Sequence, residues 1–236
     1  MSIFNRASAP CPACGTVKTL DVVASVNADR RPDLRDAILA GTFQAETCES
    51  CGAVFKFPPQ MTYIDHGRNQ WILALPARKV IHWPAAEAAA GTAFDTSFGS
   101  AAPKIAQELG RTLTRRVVFG WPALREKLRC QDAGLDDLCL ELLKCAVLAN
   151  VDGSPFTDDL ELRLLAVEAD ALTLAWLDRT TELPTQSLRV PRALYDDIVA
   201  DADGWRILRA RFEGHPFVDI ARAVVPPALD PTEDAA

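Results

Sequence analysis

The chain has 236 residues and is most easily read from what it lacks. No run approaches the eighteen or so apolar residues of a membrane-spanning helix. Met1–Pro10 lacks the apolar core of a secretory signal. Histidine is scarce, with only His66, His82 and His215, and none sits in the close doublet of a metal site. No serine nucleophile elbow, glycine-rich phosphate loop or metalloprotease helix motif occurs. These absences remove the commonest hydrolase and nucleotide-binding signatures. They set the expectation of a cytoplasmic protein with no membrane partner.

Net positive charge is also missing, and unevenly so. Residues 1–75 carry seven basic and seven acidic side chains, 76–149 carry ten and eight, and 150–236 carry eight and seventeen. Binding along a phosphate backbone needs clustered Lys and Arg. The acidic C-terminal third therefore favours a protein partner over nucleic acid.

Cysteine is present in pattern. Cys11-Pro12-Ala13-Cys14-Gly15 and Cys48-Glu49-Ser50-Cys51-Gly52 are two matching Cys-x-x-Cys-Gly units. In a reducing compartment such pairs are read as metal ligands rather than as a disulfide framework. Four thiolates from two tight turns suit one tetrahedral Zn²⁺ in a closed, structural site. Cys11, Cys14, Cys48 and Cys51 are the candidate ligands. The glycines permit left-handed backbone just after each second cysteine. The 33 residues between Cys14 and Cys48 exceed the usual spacing of about 15–20 in compact sites, so an inserted strand and helix are expected there. A thiol–disulfide role would need one pair at a helix N-terminus, whereas a strand-like run follows Cys14. Iron also accepts four thiolates; zinc is the default.

Other candidates have plainer readings. Cys130, Cys139 and Cys145 are spaced too irregularly for a second site and read as buried thiols. Asp136-Asp137 reads as a helix cap, and Asp158-Asp159 and Asp196-Asp197 as solvated charge. Arg111, Arg115, Arg116, Arg125, Lys127 and Arg129 form a basic stretch near Phe119 and Trp121. With Glu126 and apolar residues interspersed, it reads as a solvated helix face rather than a nucleic-acid surface. The five tryptophans are scattered and read as core or interface residues.

Residues 1–9 read as a loose lead-in. Strands are expected over 18–27, 42–47, 53–57, 61–65, 70–75 and 115–119, with a helix from Pro32 to a glycine cap at Gly41. Residues 76–102, rich in Ala, Gly, Ser and Thr, read as a linker or variable loop. Helical periodicity follows over 103–113, from Pro122, and over 135–148. A hairpin is expected from 160–167 and 172–177, then a short strand at 188–190. Helices over 191–200 and 205–212 precede a disordered tail, 226–236.

The first cysteine unit, the run VVASVNADRRPDLRDAILAGTF, the second unit, Tyr63-Ile64-Asp65 and the run VVFGWPALREKLRCQDAGLDD together resemble the CpXC family, named for its Cys-Pro-x-Cys motif. The resemblance implies a zinc-ribbon-like domain and carries over only the four cysteines. It supplies no catalytic residue.

The expected fold is α+β. A zinc-ribbon-like β domain at 8–75, with a helical insertion between its knuckles, precedes the 76–102 linker and a mixed α/β region at 103–225. The expected function is a non-enzymatic binding or regulatory module stabilised by one zinc. The alternatives are a nucleic-acid-associated regulator and an enzyme whose site lies in the C-terminal region.

Overall fold

A computed structural model describes residues 2–150 and 159–228. Most of the expected disordered tail lies outside the described residues. The chain is mixed α and β and forms two compact units. The first comprises Met1–Ala77 with Ala90–Trp121, the second Arg78–Ala89 with Pro122–Ala236.

The first unit is built on a five-stranded sheet. Strands β1 (Ile3–Pro10), β2 (Val17–Asn27), β5 (Met61–Asp65), β6 (Gln70–Leu75) and β7 (Thr114–Phe119) lie in that order. β1–β2 and β5–β6 are antiparallel, whereas β2–β5 and β6–β7 are parallel. Parallel neighbours need a crossover, and helix α1 (Pro32–Ala40) lies within the first of these. Pro32 starts it where a missing N–H costs nothing, and Gly41 ends it in the left-handed conformation at φ 75°. Leu34 and Ile38, one turn apart, are its buried apolar residues.

The same crossover contains the short hairpin β3 (Ala45–Thr47) and β4 (Val54–Lys56). Two side chains hold its base. Trp121 donates its indole N–H to Phe57 O at 2.6 Å and meets Phe43 edge to face. Gln44 accepts from Val23 N and donates to Asp21 O. Its amide thus satisfies backbone groups on β2 where that strand runs past its pairing with β5.

In the second unit, strands β8 (Leu160–Val167), β9 (Ala171–Asp178) and β10 (Pro184–Pro191) form an antiparallel sheet in the order β10-β9-β8. Helices α4 (Trp121–Asp132, of which Trp121 belongs to the first unit), α5 (Asp137–Asn150) and α6 (Arg192–Ala200) accompany it, with one-turn helices α7 (Arg206–Arg209) and α8 (Ala221–Val224). The core gathers Leu138, Leu142, Leu162, Leu174, Tyr195, Ile198 and Phe212. Asp136 caps α5 as expected, its Oδ1 accepting from Leu138 N and Cys139 N.

Three readings need correction. Residues 3–10 are strand β1 rather than a loose lead-in; both faces are nearly all exposed, so no apolar alternation marks them. Most of residues 76–102 are helical: a 3₁₀ turn (Ala77–His82) leads into α2 (Trp83–Phe98). Alanine is the best helix former, Pro84 stands in the first turn, and Ala86 and Ala90 are buried. Phe94 and Phe98, one turn apart, stack on each other, and Phe94 meets Trp71 edge to face. The third correction concerns α4, whose charged residues are not a solvated face. Arg125, Glu126 and Lys127 are 9%, 0% and 3% exposed. They are buried because each meets an opposite charge.

Candidate metal centre

Both cysteine units are hairpin tips. Pro10 pairs with Val17, so residues 11–16 close β1–β2; Thr47 pairs with Val54, so residues 48–53 close β3–β4. The two tips repeat one hydrogen-bond pattern. Cys11 N donates to Thr16 O at 2.9 Å and Gly15 N to Cys11 O at 2.9 Å. Cys48 N donates to Ala53 O at 2.9 Å and Gly52 N to Cys48 O at 2.8 Å. Gly15 and Gly52 have φ of 75° and 73°, a region costly for any residue with a Cβ.

This geometry brings the four sulfurs of Cys11, Cys14, Cys48 and Cys51 within 4.8 Å of one another. Across the tips, Cys11 Sγ lies 3.8 Å from Cys51 Sγ, and Cys14 Sγ 3.6 Å from Cys48 Sγ. A disulfide would need about 2.05 Å, so the cysteines are not bonded to one another. Four thiolates around a metal at about 2.3 Å would stand about 3.8 Å apart at tetrahedral angles. The spacing fits such an ion. Cys11 and Cys48 are buried, and Cys14 and Cys51 are exposed, so the site sits at the surface with one cysteine of each pair inside.

The surroundings hold two of the sulfurs toward the thiolate. The Thr16 hydroxyl, 3.3 Å from Cys14 Sγ, and the Thr16 amide hold the Cys14 thiol down at about 6. The amides of Cys51 and Ser50 lower Cys48. For Cys51 the Ala53 amide pulls the same way. Contact with the Cys14 sulfur, burial, and contact with Cys48 and Cys11 outweigh it, pushing this thiol up to about 12. Four sulfurs this close cannot all be charged without a cation among them. Lys18 stands at the margin. Its Nζ bonds Glu46 Oε2 at 3.0 Å and Thr47 O at 3.3 Å, tying β2 to β3 just behind both tips.

The remaining candidates do not join this centre. Cys130 and Cys139 are buried and Cys145 partly so; burial is the main cause that raises all three thiols, Cys145 to about 11. Among the described residues, no other group of histidine, cysteine or acidic side chains is placed to hold a metal. His215 Nδ1 instead faces Arg222 at 2.9 Å, and Arg222 stacks over Trp83 and bonds Glu87. Asp196 and Asp197 are exposed, as expected of solvated charge.

The basic stretch of α4 leads to a second cluster, within the second unit. Lys127 Nζ is 2.8 Å from Asp137 and 3.5 Å from Glu141. Lys144 Nζ is 2.6 Å from Glu126 and 3.0 Å from Glu141. Arg163 reaches Glu126 at 3.2 Å, Glu161 at 2.7 Å and Asp219 at 2.5 Å. The carboxylates also accept backbone amides, Leu164 N on Glu126, Ile220 N on Glu141 and Ala221 N on Asp219. Glu126, Glu141 and Lys144 are all 0% exposed. No substrate reaches these groups, so their work is to position α4, α5, β8 and residues 218–221.

Sequence reasoning missed this network, and it missed Thr16, Lys18 and Gln44. A signal for the network existed. Lys144 follows Leu142-Leu143, and Glu161 and Arg163 interrupt an otherwise apolar strand. A charge within a leucine run marks either a surface turned outward or a buried partner.

No helix among the described residues is long and apolar enough to cross a membrane. A family model described as CpXC protein matches residues 9–144. No curated protein and no solved structure matches the chain.

Proposed function

The chain belongs to the CpXC protein family, and from that premise we propose that it is a non-enzymatic, zinc-stabilised binding or regulatory module. Cys11, Cys14, Cys48 and Cys51 hold one structural Zn²⁺ in a zinc-ribbon-like arrangement, with α1 and its flanking segments as an insertion between the knuckles. The supporting observation is the spacing of the four sulfurs on two hairpin tips with matching backbone caps. Four thiolates close a tetrahedral shell and leave no position for a reactive water. The ion therefore stabilises structure rather than doing chemistry, and binding it is coupled to folding of residues 8–75. The acidic C-terminal third favours a protein partner, and the protein is read as cytoplasmic.

The test is elemental analysis of protein purified without added metal. One zinc per chain is expected, released on Cys48→Ser together with the order of residues 8–75. An iron tetrathiolate would absorb visible light and correct the identity of the ion. Metal-free protein with both hairpins intact would refute the reading.

A further inference from the structure

The second unit contains a pocket of about 550 Å³, within the range of about 300–1,000 Å³ common for small-molecule sites. Leu143 and Val147 of α5, Leu188 of β10, Leu194 and Ile198 of α6, and Trp205 make its lining mostly apolar. Leu188 and Leu194 are 37% and 49% exposed. Apolar side chains this open, gathered around one concavity, suit a ligand with an apolar body.

The charge on the wall selects the ligand's sign. Asp197 and Asp201 line the pocket at the last turn and C-cap of α6. That end of a helix carries the negative pole of its dipole, where cations are favoured and anions are not. The last turn of α6 holds no basic residue, and among the described residues neither aspartate forms an ion pair. The cation lining the pocket, Arg189, is already held by Glu168 at 2.9 Å and Asp170 at 2.7 Å. The wall is therefore net negative with its own cation committed. Trp205 adds an aromatic ring, a surface that attracts ammonium groups.

We propose that this pocket binds a small organic cation, a protonated amine on an aromatic or aliphatic body. The ammonium lies against Asp197 and Asp201, and the apolar body occupies the space among Leu143, Val147 and Leu194. Every residue of the pocket belongs to the second unit and the four cysteines to the first.

The experiment titrates the full chain with 4-phenylbutylammonium and, separately, with 4-phenylbutyrate, following the Trp205 indole N–H by NMR. The two probes have similar bodies and opposite charge. Saturable binding of the ammonium is expected, tighter than the carboxylate by about tenfold or more. The exposed double substitution Asp197→Asn/Asp201→Asn leaves the fold intact and erases that preference. Ala146→Trp, which fills the pocket from α5, removes binding of both probes. No saturable shift, equal affinities in the wild-type chain, or a preference that survives the double substitution overturns the proposal.

Discussion

Each unit carries a dense cluster of ionisable side chains, and these two clusters are opposites. The first unit gathers four sulfurs with no cation among them; Lys18, on the strand behind the tips, is committed to Glu46 and Thr47. The second unit gathers five carboxylates (Glu126, Asp137, Glu141, Glu161 and Asp219) and supplies Lys127, Lys144, Arg163 and, at 3.9 Å, Arg179. On the zinc reading one cluster takes its cation from outside, whereas the other is almost neutral on its own. The first unit is therefore expected to fold conditionally and the second unconditionally, although both clusters bring distant segments of chain together.

Removing the proposed zinc gives the largest expected effect. Chelation, or Cys48→Ser, unfolds the two hairpins and loosens β2, which Gln44 and Lys18 tie to them. NMR amide dispersion or limited proteolysis would show loss confined to the first unit. A second unit that melts with it would break the contrast.

Next is the loss of an internal cation. Lys144→Met leaves Glu126 and Glu141 facing each other in a site closed to water. Breaking a buried pair this way costs about 3–5 kcal/mol, a fall in melting temperature of roughly 10 °C. Zinc content should not change. Were the triple apolar replacement Glu126→Leu/Lys144→Met/Arg163→Met as stable as the natural chain, the network would serve specificity rather than stability.

A gentler probe is pH. Among the described residues the network sets five carboxylates against four cations, a balance that favours a proton on one carboxyl. Burial outweighs the pull of Lys144 and Lys127 and pushes the Glu141 carboxyl up to about 7. A folded pKa above the unfolded one contributes stability that is complete below the unfolded value and lost as pH rises through the folded value. Between roughly pH 4.5 and 7 the second unit should lose about 3 kcal/mol from this residue. Glu126 and Asp219, which Lys144 and Arg163 hold below the usual carboxylate range despite their burial, act in the opposite direction. Their contribution is present above the unfolded value and disappears only in acid. Glu141→Gln should flatten the loss between pH 5 and 8 in thermal melts; an unchanged slope would assign it to another group.

The sequence is legible in proportion to how local the determining physics is. The thiolate centre could be read because each knuckle is a five-residue pattern whose chemistry is complete except for the ion. Helices α3 (Lys104–Thr112) and α5 were readable from period, α1 from its Pro32 start and Gly41 cap, and the β8–β9 hairpin from two apolar runs around a short turn. β1 was not, because an exposed edge strand has no buried face to print an alternation. The ion network was hidden because its pairs join residues as far apart as Glu126 and Arg163, or Arg163 and Asp219. In sequence, Lys127 in a charged helix has the look of a solvated residue; only its partners on α5 make it a buried one.

The smallest effect separates the two knuckles from each other. They match in backbone, but Thr16 follows Gly15 where Ala53 follows Gly52. Only the first knuckle therefore sets a hydroxyl beside a sulfur: Cys14 Sγ donates to Thr16 Oγ1 at 3.3 Å as a thiol, and accepts from it once ionised. A donor to a ligating atom stabilises its charged form and holds it in place. Thr16→Ala makes the first knuckle chemically equal to the second and keeps every backbone bond of the tip. Zinc affinity, measured by competition with a chelator, should fall about tenfold, the lower end of what outer hydrogen bonds contribute to metal sites. The fall should be larger at pH 6 than at pH 8, because without the hydroxyl Cys14 competes with protons at higher pH than before. The converse substitution, Ala53→Thr, should recover part of the loss if its hydroxyl reaches Cys51. No change from Thr16→Ala at either pH would mean that the four sulfurs and backbone amides alone set the affinity, and that the first cluster depends on nothing but its ion.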